Sequence, residues 1–282
     1  MSLLKNKLHI CSTYLRSLFL SNKYIFFLAF LSLSGKGQGY ITSPENLGIY
    51  QRNNKNLGVI PLRFEGISDI VSIKVALAAV SSPDVVLQEF QKNFNSLSGS
   101  FDTTVVLEGG WYLLKAEITK NDGTVVSEEI KTGIGEVFLV AGQSNAEFEG
   151  PVANDERVVG AYYTQDPTFF SIIESDEPRW LYPSSPGTSF LGVLGDSLVK
   201  SLGVPVLFFN AASGGTSSHD WWRTAIQGGL PFSKVNEVIF KFLRFHGARG
   251  VLWHQGEANS VASDFPFSGN DYTNHISQVI KT

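Results

Sequence analysis

Residues Glu136 to Ala146 carry an apolar stretch straight into a small-residue turn that displays one serine, in the order Glu-Val-Phe-Leu-Val-Ala-Gly-Gln-Ser-Asn-Ala. The run Val137 to Val140 has the length and β-branched content of a strand covered on both faces, and Gly142 permits a sharp turn after it. Such a strand would set Ser144 at the carboxyl edge of a sheet, where open α/β sheets hold their ligands. Read alone, the segment suits a displayed nucleophile, a phosphate-holding turn or a serine that caps the next segment.

Two later segments shift that balance toward a nucleophile. Val204 to Asn210 is another apolar strand, and it opens into Ala211-Ala212-Ser213-Gly214-Gly215-Thr216-Ser217-Ser218-His219-Asp220-Trp221-Trp222. Arg249 to Trp253 is a third, emptying into His254-Gln255-Gly256-Glu257-Ala258-Asn259. If helices connect them, the three strand ends converge on one edge of a parallel sheet. An edge of that composition is equipped for acyl transfer, in which a serine attacks a carbonyl while N–H groups hold the oxyanion. In this reading Ser144 is the nucleophile, and the N–H groups of Ser144 and Gly215 together with the Gln255 amide form the oxyanion site.

The blocks Gly142-Gln143-Ser144-Asn145, Gly214-Gly215-Thr216 and Trp253-His254-Gln255-Gly256-Glu257 resemble the first three motif blocks of the SGNH hydrolases. They are most similar to the sialate O-acetylesterase and acetylxylan esterase branch, over roughly residues 135 to 282. The resemblance implies a three-layer α/β/α, flavodoxin-like domain and a serine esterase that removes O-acetyl groups from carbohydrates. It implies Gln255 as third oxyanion donor, where other members use Asn, and Gly215 as the glycine donor, with Gly214 permitting the turn. It implies an acetylated carbohydrate as substrate and no cofactor, and the chain shows no Cys/His cluster or phosphate-loop pattern.

The family supplies its general base from a late Asp-x-x-His segment, and no such segment occurs in this sequence. Asp271-Tyr272-Thr273-Asn274-His275 has one residue too many, and Tyr272 to Ile280 has helical apolar spacing, so His275 is expected as an exposed helical histidine. With three clear strands where such a sheet has five, the chain is expected to be a fragment cut before its last strands and its catalytic histidine.

Other residues near the blocks are candidates for contact with substrate. Asn145 adjoins the serine. His219 beside Asp220 reads as a loop pair facing water or substrate, and His254 either touches substrate or packs under Trp253. Glu257 and Asn259 stand close enough to Gln255 to orient it, or are solvated. Trp221 and Trp222 either stack on a sugar face or fill the core. His246 reads as the polar end of a helix from Ser233 to Phe245.

The remainder of the chain sets the context. With 43% hydrophobic and 17% charged residues, its 282 residues suit two folded domains, and a net charge of −4 with pI near 5.8 offers no basic surface for nucleic acid. Lys5, Lys7, Arg16 and Lys23 precede any acid, and Tyr24 to Leu33 is an apolar run broken only by Ser32. That pattern is a signal peptide over 1–39, too short for a stable span, with an uncleaved anchor as the alternative. The protein is therefore expected in the periplasm, on the cell surface or outside the cell, and because Cys11 lies in the leader, its mature form has no disulfide.

Residues 40–132 read as six or seven short strands: Val59 to Phe64, Ile70 to Val80, Val85 to Phe90, Ser100 to Leu107, Gly110 to Thr119 and Thr124 to Thr132, with a turn at Asn121-Asp122-Gly123. They suggest an antiparallel β-sandwich of immunoglobulin or fibronectin III kind acting as a spacer, with Gly133 to Gly135 as a short, stiff junction to an incomplete hydrolase domain over 135–282. The rival from another class is an exported, non-catalytic carbohydrate-binding or surface protein. An α/β-hydrolase lipase is disfavoured, because that fold reaches its nucleophile only after several strands.

Overall fold

The computed structural model describes residues 41–67, 69–94, 99–147, 153–163, 170–174, 190–261 and 268–282. All of them lie in one unit, Tyr40–Thr282; the leader reading falls outside the described residues. One strand organises this unit. β8 (Val125–Gly142) runs 18 residues without interruption. Its first half pairs antiparallel with β7 (Gly110–Lys120), from Thr119 against Val125 to Gly110 against Ile134. Its second half pairs parallel with β11 (Val206–Asn210) on one side and β12 (Gly250–His254) on the other. The sequence explains the change of partners. Val125 to Ile130 alternates exposed and half-buried positions, as in a sheet with one wet face, while Thr132 to Gly142 is buried almost throughout, as in a sheet covered on both faces.

The expected junction at Gly133 to Gly135 thus lies inside β8. Its glycines serve close approach. A Cβ on Gly135 would sit 1.9 Å from the Pro205 carbonyl oxygen, and one on Gly133 would sit 2.9 Å from the Trp111 ring.

Before the junction, β1 (Ile41–Ser43), β3 (Leu57–Ile67) and β6 (Gly99–Glu108) form one antiparallel sheet. β4 (Ile70–Ala79), β5 (Val86–Asn93), β7 and the first half of β8 form another, and the short β2 (Ile49–Gln51) runs parallel to β8 at the junction. Alternate residues of both sheets meet in one core: Ile60, Leu62, Phe64 and Val105 from the first, Ile73, Val75, Leu77, Leu114 and Ile118 from the second. Each buries an aliphatic or aromatic side chain worth about 1.5–3 kcal/mol of transfer free energy. The strands from Val59 to Thr119 fall where alternation placed them, and Gly123 takes its turn at φ +84° while the Asp122 carboxylate accepts the Thr124 N–H at 2.8 Å. β1 and β2 escaped the reading, being three residues each.

After the junction, β9 (Val158–Tyr163) joins the far side of β11 in parallel, and β10 (Phe170–Glu174) adds an antiparallel edge, giving the order β10-β9-β11-β8-β12. Helices cover both faces. Val206 and Phe208 point toward α2 (Leu191–Leu202), which ends at Gly203 in a left-handed turn. The alternate residue Phe209 meets Phe242 at 5.4 Å, in the helical segment that runs from α4 (Phe232–Val238) through a π-turn, Ile239–Leu243, into α5 (Arg244–His246). α1 (Ser144–Glu147), α3 (Ser218–Gln227), α6 (Glu257–Val261) and α7 (Gly269–Lys281) complete the described elements. Both α3 and α7 start with a reciprocal cap, Ser217 with Asp220 and Ser268 with Asp271. Among the described residues no helix is long and apolar enough to cross a membrane.

Polar contacts lock the two halves together beside β8. Glu136 is buried and accepts from Arg52 Nε at 2.8 Å, Gln51 Nε2 at 2.9 Å and Arg249 Nε at 2.7 Å. Burial works against its charge, and the hydrogen bonds from Arg249, Gln51 and Arg52 overcome that, holding the carboxyl below its usual range. His246, read as the polar end of a helix, is buried. It stacks on Tyr50 at 4.6 Å, lies 2.8 Å by Nδ1 from the Ile49 carbonyl and 3.4 Å by Nε2 from Glu45. The helix carries it onto β2, a strand that sequence reading had not found.

Candidate active site

Three strand ends are stitched together by main-chain contacts. Gly142 closes β8 at φ +134°, and a Cβ there would stand 1.9 Å from the His254 carbonyl oxygen, so only glycine lets β8 and β12 meet. That carbonyl accepts the Gln143 N–H at 2.9 Å, and the Gly142 carbonyl accepts the Ser213 N–H at 2.9 Å from the turn after β11. The three turns read from the sequence therefore share one sheet edge.

Side chains finish the stitching. The buried Gln143 carbonyl oxygen receives the Ala258 N–H at 3.1 Å, the Gly256 N–H at 3.4 Å and Gln255 Nε2 at 3.4 Å. Glu147, at the end of α1, accepts the Gly214 N–H and pairs with Lys234 Nζ at 3.2 Å, which also donates to the Ala212 carbonyl at 3.0 Å. Asn210 Nδ2 donates to the Ala146 carbonyl at 2.8 Å. Gln143, Glu147 and Lys234 hold the turns and were passed over in the sequence. Glu147 had a signal, since it lies three residues past Ser144 in the first turn of a helix.

Ser144 opens α1 and is half-buried; among the described residues its hydroxyl makes no hydrogen bond. Gly215 occupies the left-handed region at φ +72°, and among the described residues its N–H has no acceptor. Gln255 lies beside both turns. Its Nε2 is 2.6 Å from Asn259 Oδ1, 3.2 Å from the Thr216 carbonyl and 3.4 Å from Gln143 Oε1, while its own Oε1 is buried with no described partner.

Glu257 joins Asn145 to His254. Its Oε1 accepts from Asn145 Nδ2 and lies 3.2 Å from His254 Nε2. Its own backbone N–H first, then Asn145 and His254, hold this carboxyl below the usual range against partial burial. His254 is half-buried, with its ring tilted against Phe190 at 5.7 Å. Among the described residues Glu257 makes no hydrogen bond to Gln255, whereas Asn259 does.

Trp221 offers no ring to a sugar. It is 0% exposed, donates to Thr216 Oγ1 at 2.9 Å and packs edge-on against Trp253 at 5.1 Å. Its place on the inner face of α3 sends it into the core, which corrects its reading as a substrate platform. Trp222, on the next face, is half-buried and stacks on His275 at 5.2 Å, with the His219 ring 5.3 Å away. His275 also departs from its reading as an exposed helical residue: it is half-buried, and its Nδ1 is 3.0 Å from Ser218 Oγ. Burial first, then the nearby His219, pull its pKa down, and Asp271 opposes them. What sequence periodicity could not show is that α7 packs against α3 through this histidine.

No curated protein matches this sequence. Among solved structures, a carbohydrate acetylesterase from Xanthomonas citri is 19% identical, with a TM-score of 0.48 over 86% of this chain and 56% of that one. A protein from Arabidopsis thaliana is 20% identical, with a TM-score of 0.38 over 52% of this chain and 66% of that one. This chain thus spans little more than half the length of the first. From Ile134 on, residues 134–282 match the family model described as carbohydrate esterase, sialic acid-specific acetylesterase, and the chain belongs to that family.

Proposed function

We propose that this chain carries the nucleophile and the oxyanion-binding turns of an exported serine esterase that removes O-acetyl groups from carbohydrates, sialate esters among them. The observation that supports it most is the meeting of the three turns, with Gln143 beside Ser144 touching Gln255, and Gln255 touching the carbonyl next to Gly215. In this mechanism Ser144 Oγ attacks the acetyl carbonyl, and the N–H groups of Ser144, Gly215 and Gln255 take up the charge on the tetrahedral oxygen. The sugar alcohol leaves, and water then releases acetate from the acetyl-serine. Asn145, His219, His254 and Glu257 face the sugar. Export rests on the basic, apolar leader, and the β-rich half, read as immunoglobulin-like, holds the site against its polymer.

The attack needs an acceptor for the Ser144 proton, and among the described residues none touches Oγ. Added imidazole fills that role in the test. With p-nitrophenyl acetate or an acetylated sugar, the purified chain should show imidazole-dependent turnover above that of Ser144→Ala. Gln255→Ala should lower the Ser144-dependent kcat by roughly a hundredfold to a thousandfold, the usual effect of losing one oxyanion donor. Equal rates for the chain and Ser144→Ala, with retained binding of acetylated sugar, would make this a carbohydrate-binding protein instead.

A further inference from the structure

Gln255 has two amide hydrogens and three acceptors around them. The shortest contact, 2.6 Å, is to Asn259 Oδ1, while those to Thr216 O at 3.2 Å and Gln143 Oε1 at 3.4 Å are long. One hydrogen is therefore committed to Asn259. The other is loosely shared between two weak acceptors, and a developing oxyanion can take it.

That division depends on which way the Asn259 amide faces, and the residues behind it decide. Asn259 Oδ1 accepts the Ser218 N–H at 3.0 Å as well as Gln255, and Asn259 Nδ2 donates to Ser218 Oγ at 2.8 Å. A reversed Asn259 amide would set its NH2 against two other donors. Ser218 Oγ, already accepting from Asn259, has one hydrogen to give, and His275 Nδ1 lies 3.0 Å away to receive it. With the His275 ring proton on Nε2, the chain of donors runs from Asn259 through the Ser218 hydroxyl to His275 Nδ1.

We infer that Asn259, Ser218 and His275 form a positioning relay that fixes the Gln255 carboxamide so that one of its N–H bonds is free for the oxyanion. This inference rests on the esterase reading for its purpose and on the hydrogen bonds alone for its existence. None of the three relay residues touches the reacting atoms. His275 sits on α7 and reaches Gln255 through two intermediaries, Ser218 and Asn259.

Two variants at His275 separate hydrogen bonding from packing. His275→Phe keeps a ring against Trp222 and removes the acceptor; His275→Asn places a carbonyl oxygen near the Nδ1 position and removes most of the ring. Two readouts apply to the full chain: the side-chain amide proton pair of Gln255 in a nitrogen-15 spectrum, assigned by its loss in Gln255→Glu, and the imidazole-assisted, Ser144-dependent kcat. In His275→Phe the Gln255 pair should shift and exchange faster, and kcat should fall about tenfold at unchanged KM, the effect of one misaligned hydrogen bond. Asn259→Ala should do the same, and His275→Asn should restore both readouts. A Gln255 pair unmoved in His275→Phe, or moved equally in His275→Asn, would overturn the relay. A shifted and restored pair in a chain with no Ser144-dependent turnover would sustain the relay and refute the esterase reading.

Discussion

Replacing Glu136 with alanine tests whether the halves on either side of β8 unfold as one body. The side chain is 5% exposed and accepts from two arginines and a glutamine, with Arg249 contributing both Nε at 2.7 Å and an Nη at 3.1 Å. Removing one partner of a buried ion pair costs about 3–5 kcal/mol, because the charge left behind is neither hydrated nor paired. Arg249 is 38% exposed and recovers water, whereas Arg52 is 15% exposed and keeps only Asn56 Oδ1 among its described side-chain partners. The lower end, about 3 kcal/mol, is therefore expected. At about 2–4 °C per kcal/mol for a protein of this size, the melting temperature should drop roughly 6–12 °C. Denaturant unfolding should be followed by tryptophan fluorescence, which Trp221, Trp222 and Trp253 weight toward the second half although Trp111 lies in the first, and by far-ultraviolet circular dichroism, to which most strands of the first half contribute. Both should move together to a lower midpoint. A loss below about 1 kcal/mol, the scale of an exposed pair, or a shift confined to one signal, would refute the argument.

Two further outcomes follow from the same contacts. Gly142→Ala should cost at least about 3 kcal/mol and abolish Ser144-dependent turnover, since it forces positive φ on a residue whose Cβ meets backbone; Gly123→Ala, at positive φ in open space, should cost only about 1 kcal/mol. A thermal melt of each checks the contrast, and equal losses would count against it. The His246 and Glu45 pair should shape stability against pH. Burial opposes the His246 charge, but the Glu45 carboxylate and the Ile49 carbonyl raise its pKa above the ordinary 6.5; its contribution is complete below that value and fades as pH rises through the folded pKa. Burial likewise opposes the Glu45 charge, yet His246 holds its pKa below 4.5, so its contribution is present above that value and lost as pH falls. The melting temperature should peak between these values and decline above them, and Glu45→Gln should flatten the alkaline slope; an unchanged slope would remove the pair from the account.

The strands that carry the site were legible because each joins an apolar run to a glycine turn, the pattern of parallel strands in an α/β sheet. Val204 to Asn210 and Arg249 to Trp253 accordingly match β11 and β12 to within two residues at each end. The continuity of β8 was not legible, because Gly133 and Gly135 read as breaks when their role is to let Trp111 and Pro205 come close. Trp221 and Trp222 were indistinguishable as neighbours in sequence; only the rotation of α3 against the sheet makes one core and the other half-buried. Contacts spanning more than a hundred residues, such as that of Asn145 with Glu257, leave no local trace at all.

A strand of 18 residues, about 60 Å long at the usual rise, also ties the two halves by parity. Side chains alternate across a strand, so adding or deleting one residue at Gly133 to Gly135 would turn every later residue of β8 over and send Val137 and Leu139 to the face now taken by Phe138 and Val140. Recombination at this seam is tolerated only in steps of two residues, and a library of chimaeras joined between Gly133 and Gly135 would reveal it as an odd–even pattern of folded and unfolded clones.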